Sequence, residues 1–335
     1  MTRRAAAVSA SNAPRGGRLR SRGLSPLSWF VRGVLVLLVA VACWKGGSLG
    51  VDSARHWLFS RSTMAQDEFV AASAPEPSSA LQFAVEQAAT SPRGTVAVYA
   101  WDLNDGESAA LEEHRLFPAA SLVKLPVLVE VLRQERLGRF SARDELVIKQ
   151  EHWTDGSGVL QARVGDRVTI GELTELMIRE SDNIAARALM DLVGVDEINR
   201  RMSALGFTDT VVQPLESDSD TVRPPHQTSA RDMAGLLGLI ATGGVVDSDT
   251  SARAVSLLEA QQANAWLADG LPWWARLAHK WGDLANARHD AGIVFTPRGR
   301  YVVVVMTEGM LPGESAETIG RVSRAVFDRI GADTR

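Results

Sequence analysis

The sequence predicts an α+β fold, in which both ends of a globular region form an antiparallel sheet flanked by helices, with an all-helical insertion between the two ends. Strand patterns occur over 95–103 and again over 275–309, whereas the stretch between them has mainly helical periodicity. Of the 335 residues, 45% are hydrophobic and 23% are charged, which is typical of an ordinary globular protein.

The globular region begins with a helix and a hairpin. We expect a helix over 80–89, followed by a strand over Thr95–Leu103 that turns at Asn104-Asp105-Gly106. Apolar residues at helical spacing then predict helices over 121–137, over 169–194 with a break at Ser181-Asp182-Asn183, and over 195–206, where Gly206 ends the last one.

The second half of the region contains the remaining strands. A polar, proline-containing loop occupies 207–228. After it we expect helices over 229–244 and 248–267, strands over 275–283, 287–297 and 300–309, and a closing helix over 315–331. The late strands and the early hairpin together make the sheet.

The N-terminal part of the chain has a different charge pattern. Residues 1–45 hold seven Arg and one Lys but no acidic residue, so the rest of the chain carries a net charge of −12. We expect a disordered basic cytoplasmic tail over 1–26, a transmembrane signal anchor over 27–44, a linker over 45–79 and the main domain over 80–335.

The arginines before the apolar run predict a single-pass protein of the cytoplasmic membrane with its main domain exported. Two alternatives stay open. The small residues before Cys43 resemble a lipobox, which would make the protein a lipoprotein, and ordinary signal cleavage would release the domain. Cys43 is the only cysteine, so the main domain has neither a disulfide nor a thiol nucleophile.

Composition also bears on partners and cofactors. A net charge of −4 gives no reason to expect nucleic acid as a partner. The six His residues show no zinc spacing and no phosphate loop is present, so we expect no metal and no cofactor. We expect the protein to be a monomer.

Lysine is scarce, with four Lys (45, 124, 149 and 280) against 32 Arg. A Lys in this background marks a position where the always-charged, planar Arg cannot substitute, unless codon bias alone explains the ratio. Ser121 and Lys124 lie three residues apart at the start of a predicted helix, so they share a face. A desolvated, neutral Lys there can activate the Ser as a nucleophile, although an N-cap Ser with an unrelated Lys fits the same pattern.

Two further motifs follow along the chain. Ser181-Asp182-Asn183 lies at the break between two helical runs, sixty residues after Ser121, where its short hydroxyl and amide side chains could simply cap the second helix. Lys280-Trp281-Gly282 lies on a predicted strand, where the Gly allows another backbone or a ligand to approach closely.

These three motifs, in this order, resemble the active-site-serine penicillin-recognising family, and within it the class A β-lactamases. The resemblance covers about residues 80–335 and implies a β-lactamase/transpeptidase-like fold. It implies that Ser121 is the acylated nucleophile, that Lys124 takes part in its deprotonation, and that Ser181 relays a proton to the leaving nitrogen.

The resemblance also implies substrate-binding residues. Asn183 would bind the side-chain amide of the substrate, and Lys280 would hold its carboxylate and bias Ser181. Gly282 would permit close approach, and the backbone N–H groups of Ser121 and Asp283 would form the oxyanion hole.

The sequence departs from the family pattern at two places. Trp281 stands where the family has Thr or Ser, which removes a hydrogen bond to the β-lactam carboxylate unless the Trp points away. Glu216 lies near the expected place of the deacylating carboxylate, but Ser219 and Asp220 stand where the family has Leu and Asn. Glu216 is therefore either that base or a solvated loop carboxylate.

The sequence predicts a serine hydrolase that opens β-lactam rings through an acyl-enzyme on Ser121, as in β-lactam catabolism or antibiotic resistance. Its partner would be a small-molecule β-lactam or an acyl-D-Ala-D-Ala-like substrate. The alternatives are a D,D-peptidase-like acyl-transfer enzyme, which Trp281 favours, and a non-hydrolytic penicillin-binding module of the cell envelope.

Overall fold

The computed structural model describes residues 79–213, 226–261 and 266–332. The predicted tail and signal anchor, with Cys43, lie outside the described residues, as do all but the last residue of the predicted linker. Within the described ranges, no helix combines the length and the apolar character needed to span a membrane.

The described residues form helices on both sides of one main sheet. The α-helices are α1 (Ser79–Ala89), α2 (Lys124–Arg136), α3 (Ile170–Arg179), α4 (Asn183–Val193), α5 (Val195–Ala204), α6 (Ala230–Thr242), α7 (Ser248–Glu259) and α8 (Pro312–Val326). The strands are β1 (Thr95–Asp102), β2 (Ser108–Leu111), β3 (Phe117–Pro118), β4 (Glu145–Val147), β5 (Arg167–Thr169), β6 (Gln227–Thr228), β7 (Arg276–Asp283), β8 (Ala287–Thr296) and β9 (Gly299–Glu308).

The main sheet has the strand order β2-β1-β9-β8-β7, and every neighbouring pair is antiparallel. The first long strand, β1, pairs along its whole length with the last one, β9. This confirms the predicted α+β fold, with a sheet built from both ends of the domain. Because β7 is an edge strand, one side of it is available to the rest of the molecule.

Each face of the sheet covers its own hydrophobic core. Side chains alternate along a strand, so in β9 Val302 and Val304 lie in one core and Val303 and Val305 in the other. The larger core contains the helices of the insertion, and the smaller one is closed by α1 and α8. The run of buried valines in β9 follows from its central position with both faces covered.

The structure corrects three predictions about elements. The helix expected over 121–137 begins with a 3₁₀ turn over Ala120–Val123, and α2 starts only at Lys124. The helix expected over 248–267 ends at Glu259, because Leu267 is buried in the smaller core while Leu258 of α7 is buried in the larger one. The insertion is not wholly helical, since the short pairs β3-β6 and β4-β5 lie within it.

Candidate active site

The candidate nucleophile lies on a tight turn between β3 and α2. Ser121 is the second residue of the 3₁₀ turn, and Ala120 before it has a φ of 48°. Residues i and i+3 eclipse one another in a 3₁₀ helix. This geometry brings Lys124 Nζ to 3.2 Å from Ser121 Oγ. The turn thus achieves the proximity that the sequence predicted for an α-helix.

Lys124 is buried, with an exposure of 2%, and its amine is surrounded by oxygens. Besides Ser121 Oγ, three oxygens lie within hydrogen-bond distance of Nζ: the carbonyl oxygen of Ser181 at 2.5 Å, its Oγ at 3.0 Å and Oδ1 of Asn183 at 2.7 Å. Burial, reinforced by the charge of Lys280 and opposed by Asp182, holds the pKa of Lys124 well below its ordinary value. A lysine in this state can accept a proton.

The second hydroxyl comes from the corner between α3 and α4. Ser181 has a φ of 54°, and its Oγ donates to Ser121 Oγ at 3.0 Å. The two hydroxyls and the Lys124 amine therefore form a closed triangle. A left-handed backbone at a non-glycine residue is uncommon and costs free energy, so the surrounding structure must hold it in place.

Asp182 provides that support, a role that the motifs did not predict. Its buried carboxylate caps α4 by accepting from Ala185 N at 2.8 Å, and it also accepts from Val159 N at 2.6 Å and Leu160 N at 3.1 Å. The cap that the motif suggested is thus formed by the carboxylate rather than by Ser181 or Asn183. The preference of Asp for N-cap positions could have indicated this cap from the sequence. Nothing in the sequence indicated the contacts with residues 159 and 160.

Lys280 extends from β7 into the larger core and is fully buried. Burial lowers its pKa to about 7, and the carboxylate of Asp290 opposes that effect. Nζ donates to the carbonyl oxygen of Trp281 at 3.0 Å. The charge of Lys280 contributes to the lowered pKa of Lys124. Lys280, the predicted anion-binding residue, has no solvent-accessible surface.

Gly282 brings β7 against the nucleophile turn. A Cβ atom at this position would lie 2.8 Å from Ala120 Cβ and 2.9 Å from Ser121 N. Such distances are too short for any other residue, so the glycine permits this contact between strand and turn. The sequence predicted this close approach without identifying what approaches.

Asp283 supplies the second predicted N–H group of the oxyanion hole. Leu284 N donates to Ala287 O at 2.8 Å, across the turn between β7 and β8. Successive N–H groups of a strand point in opposite directions, so the N–H of Asp283 points away from β8 and toward the side where Ser121 lies. The side chain of Asp283 forms an ion pair with Arg288, 3.1 Å away.

Of the remaining predicted residues, the structure describes Trp281 but not those around Glu216. The ring of Trp281 lies beside the predicted anion-binding lysine, with its centroid 5.1 Å from Lys280 Nζ. Glu216, together with Ser219 and Asp220, lies outside the described residues.

One group of possible metal ligands occurs among the described residues, made of the exposed Glu151 and Asp191 and the buried His152. The amine of Lys149 already lies between the two carboxylates, 3.0 Å from Glu151 Oε1 and 2.7 Å from Asp191 Oδ2. His152 Nδ1 accepts from Lys149 N at 3.1 Å. Its other nitrogen then carries the proton, which disfavours metal binding.

Comparisons with known proteins identify relatives of this chain. A family model described as the beta-lactamase enzyme family matches residues 79–330. The sequence is 27% identical over 233 residues to a β-lactamase of Streptomyces fradiae, covering 66% of this chain and 76% of that protein. It is 24% identical over 286 residues to the β-lactamase regulatory protein BlaB of Streptomyces cacaoi, covering 68% and 90%.

Solved structures show the same fold. PBP-A matches with a TM-score of 0.71 and 30% identity, covering 76% of this chain and 96% of that chain. A β-lactamase from Sphaerobacter thermophilus matches with a TM-score of 0.69 and 28% identity, covering 77% and 99%. A mutant of PBP-A has been solved as an acyl-enzyme complex with penicillin G and matches with a TM-score of 0.70 and 30% identity, covering 76% and 97%.

Proposed function

Because this chain belongs to the beta-lactamase enzyme family, we propose that it is a serine hydrolase that opens β-lactam rings through an acyl-enzyme on Ser121. The observation that carries the proposal is the triangle of Ser121 Oγ, Lys124 Nζ and Ser181 Oγ, with sides of 3.2, 3.0 and 3.0 Å. A hydroxyl, a buried amine and a second hydroxyl at hydrogen-bond distance are the parts that acyl transfer requires.

In the proposed acylation, neutral Lys124 accepts the proton of Ser121 Oγ while Oγ attacks the lactam carbonyl carbon. The N–H groups of Ser121 and Asp283 donate to the carbonyl oxygen as negative charge develops there. The carbon–nitrogen bond of the lactam then breaks, and Ser181 passes the proton to the leaving nitrogen. An ester on Ser121 remains.

In the proposed deacylation, Glu216 acts as a general base that takes a proton from the water as its oxygen bonds to the ester carbon, an effect worth about 10²–10⁴-fold. The bond between that carbon and Ser121 Oγ then breaks, and Oγ takes up the proton. Contacts of the described residues on both sides of this segment bring its two ends near the nucleophile turn. Val211 and Gln227 exchange two backbone hydrogen bonds of 2.9 Å, and Ala119 N donates to His226 O at 2.7 Å. The residues that flank the Glu216 segment are thus bound to each other and to the chain two residues before Ser121.

The test is intact-mass spectrometry of the full-length protein during exposure to penicillin G. We expect the parent to show a transient adduct and to release ring-opened product, because deacylation follows acylation. Ser121→Ala should form no adduct, since the attacking oxygen is removed. Glu216→Gln should form the adduct at nearly the parent rate and then retain it.

Each variant has an outcome that contradicts its part of the proposal. An adduct on Ser121→Ala would exclude Ser121 as the nucleophile. Turnover by Glu216→Gln at the parent rate would mean that Glu216 is only a loop carboxylate.

A second candidate function is acyl transfer with slow hydrolysis, as in a D,D-peptidase-like enzyme or a penicillin-binding module of the cell envelope. Trp281, in place of the family's hydroxyl residue, favours it, and the similarity to PBP-A and to BlaB is compatible with it. A long-lived adduct on the parent protein would support this candidate against the β-lactamase.

We also propose that residues 27–44 anchor the protein in the cytoplasmic membrane with the domain outside, because the Arg cluster precedes the apolar run. A reporter enzyme that is active only after export, fused after Arg335, should be active in cells. A fusion that is active only with a cytoplasmic reporter would contradict this topology.

A further inference from the structure

The corner of the site around Lys280 departs from what an anion-binding subsite needs. The ring of Trp281 lies against the Lys280 amine, with its centroid 5.1 Å from Nζ, and the whole Lys280 side chain is inaccessible to solvent. A cation held against an aromatic face is stabilised there. In this arrangement the amine offers no accessible surface to a substrate carboxylate.

A second tryptophan fixes this arrangement. The rings of Trp266 and Trp281 meet edge to face, with centroids 5.4 Å apart. Trp266 has a φ of 62°, and the next residue, Leu267, donates its N–H to Asp290 Oδ2 at 3.1 Å. Asp290 is fully buried and pairs directly across the sheet with Trp281. Its second oxygen lies 2.8 Å from His279 Nδ1, so the carboxylate is held firmly in place.

The charges around this corner also disfavour an anionic ligand. Asp290 acts electrostatically on Lys280, and burial lowers the pKa of that lysine to about 7, so its positive charge is partly lost at neutral pH. Arg288, the neighbouring cation, is paired with Asp283. The charges of Lys280 and Arg288 are therefore balanced by those of Asp290 and Asp283. Beside them lie the half-buried indole rings of Trp266 and Trp281, which are apolar.

We propose that Trp281 and Trp266 make this corner a subsite for an uncharged, apolar group of the acyl donor, so that the enzyme acylates Ser121 from carboxylate-blocked donors at least as well as from free acids. This inference rests on the proposed acyl-enzyme function. The bonds involved are unchanged: Ser121 Oγ bonds to the lactam carbonyl carbon, the lactam carbon–nitrogen bond breaks, and the nitrogen takes the proton that Ser121 gave up.

The experiment compares penicillin G with its methyl ester, which differ only in that carboxylate. The rate of adduct formation per concentration of donor is measured by intact mass on the full-length protein. We expect the ester to acylate the parent protein at least as fast as the acid. In Trp281→Thr the rate of acylation by the acid, divided by the rate with the ester, should rise about tenfold or more. The reason is that a hydroxyl that can donate a hydrogen bond to a carboxylate replaces the indole, and Lys280 becomes accessible.

Two control variants separate the subsite from general effects. Trp281→Phe keeps an aromatic ring and should keep the parent ratio. Trp273→Thr replaces a tryptophan that is 95% exposed, outside this corner, and should also leave the ratio unchanged.

A parent protein that prefers the acid tenfold or more would overturn the inference while leaving the acyl-enzyme proposal intact, and this comparison needs no variant to fold. An unchanged ratio in folded Trp281→Thr would overturn it as well. If neither compound acylates Ser121, the proposed function fails and the inference fails with it.

Discussion

Lys124 and Lys280 explain why this arginine-rich chain retains lysine at two positions. Both are buried in the site, and both have a pKa that burial lowers. A guanidinium stays protonated and is larger and planar, so at position 124 it could neither act as a base nor fit between Ser121 and Ser181, and at position 280 it would be buried with its full charge. Lys149 differs, since it is half exposed and only bridges two carboxylates. Arginine would serve at that position.

This contrast leads to a prediction for Lys124→Arg. The variant should lose at least about 10²-fold in the rate of acylation by penicillin G, because the base that deprotonates Ser121 is removed. Lys149→Arg is the matched control and should keep the parent rate. The rates are measured by rapid quenching and intact mass, with thermal unfolding as a check on folding.

Lys124→Met, which removes the base and the charge together, covers the case in which the buried guanidinium prevents folding. Acylation of either Lys124 variant within tenfold of the parent would show that another group deprotonates Ser121.

At the scale of elements, the site depends on how closely the edge strand β7 approaches the 3₁₀ turn. At Gly282 the backbone of β7 lies so close to the turn that a Cβ atom would be 2.8 Å from Ala120 Cβ, which leaves no space for a side chain. The N–H groups of Ser121 and Asp283 belong to these two elements. Their separation is thus set by the strand-to-turn contact rather than by any side chain of the site.

Gly282→Ala should therefore reduce acylation about 10²-fold, since a displacement of about 1 Å between the two N–H groups misplaces the oxyanion hole. Gly313→Ala is the control, because a Cβ at that position of α8 meets nothing within 4 Å. Both rates are measured with penicillin G, next to the thermal stability of each variant. A Gly282→Ala protein with the parent acylation rate would show that the hole tolerates a shift of β7.

The length of a strand decides whether the sequence could predict it. The long strands β1, β7, β8 and β9 have enough residues to display an alternating or continuous apolar pattern, so their positions were predictable. The pairs β3-β6 and β4-β5 have two or three residues per strand and display no period. The 3₁₀ turn before α2 has the same apolar spacing as a helix start, so its backbone could not be distinguished.

Some residues of the site were likewise predictable from the sequence and others were not. The spacing of the three motifs along the chain predicted Ser121, Lys124, Ser181 and Lys280. The contacts of Asp182 with residues 159 and 160 were not, because they depend on how a loop folds back onto α4. The packing of Trp266 on Trp281 depends on Asp290, which is buried only when β7 and β8 pair.

At the scale of the whole domain, the pairing of β1 with β9 joins the two ends of the described chain and holds the insertion between them. The Ser121 turn and α2 come from the first half of the domain, and β7 comes from the second. The site lies where the helical insertion meets the edge of the sheet. It is therefore complete only when both halves are folded together.

The most direct test of the central claim is a crystal structure of the protein after brief exposure to penicillin G. We predict an ester bond to Ser121 Oγ, with the ester carbonyl oxygen within hydrogen-bond distance of both Ser121 N and Asp283 N. An adduct on any other residue, or a carbonyl oxygen that points away from both N–H groups, would contradict it.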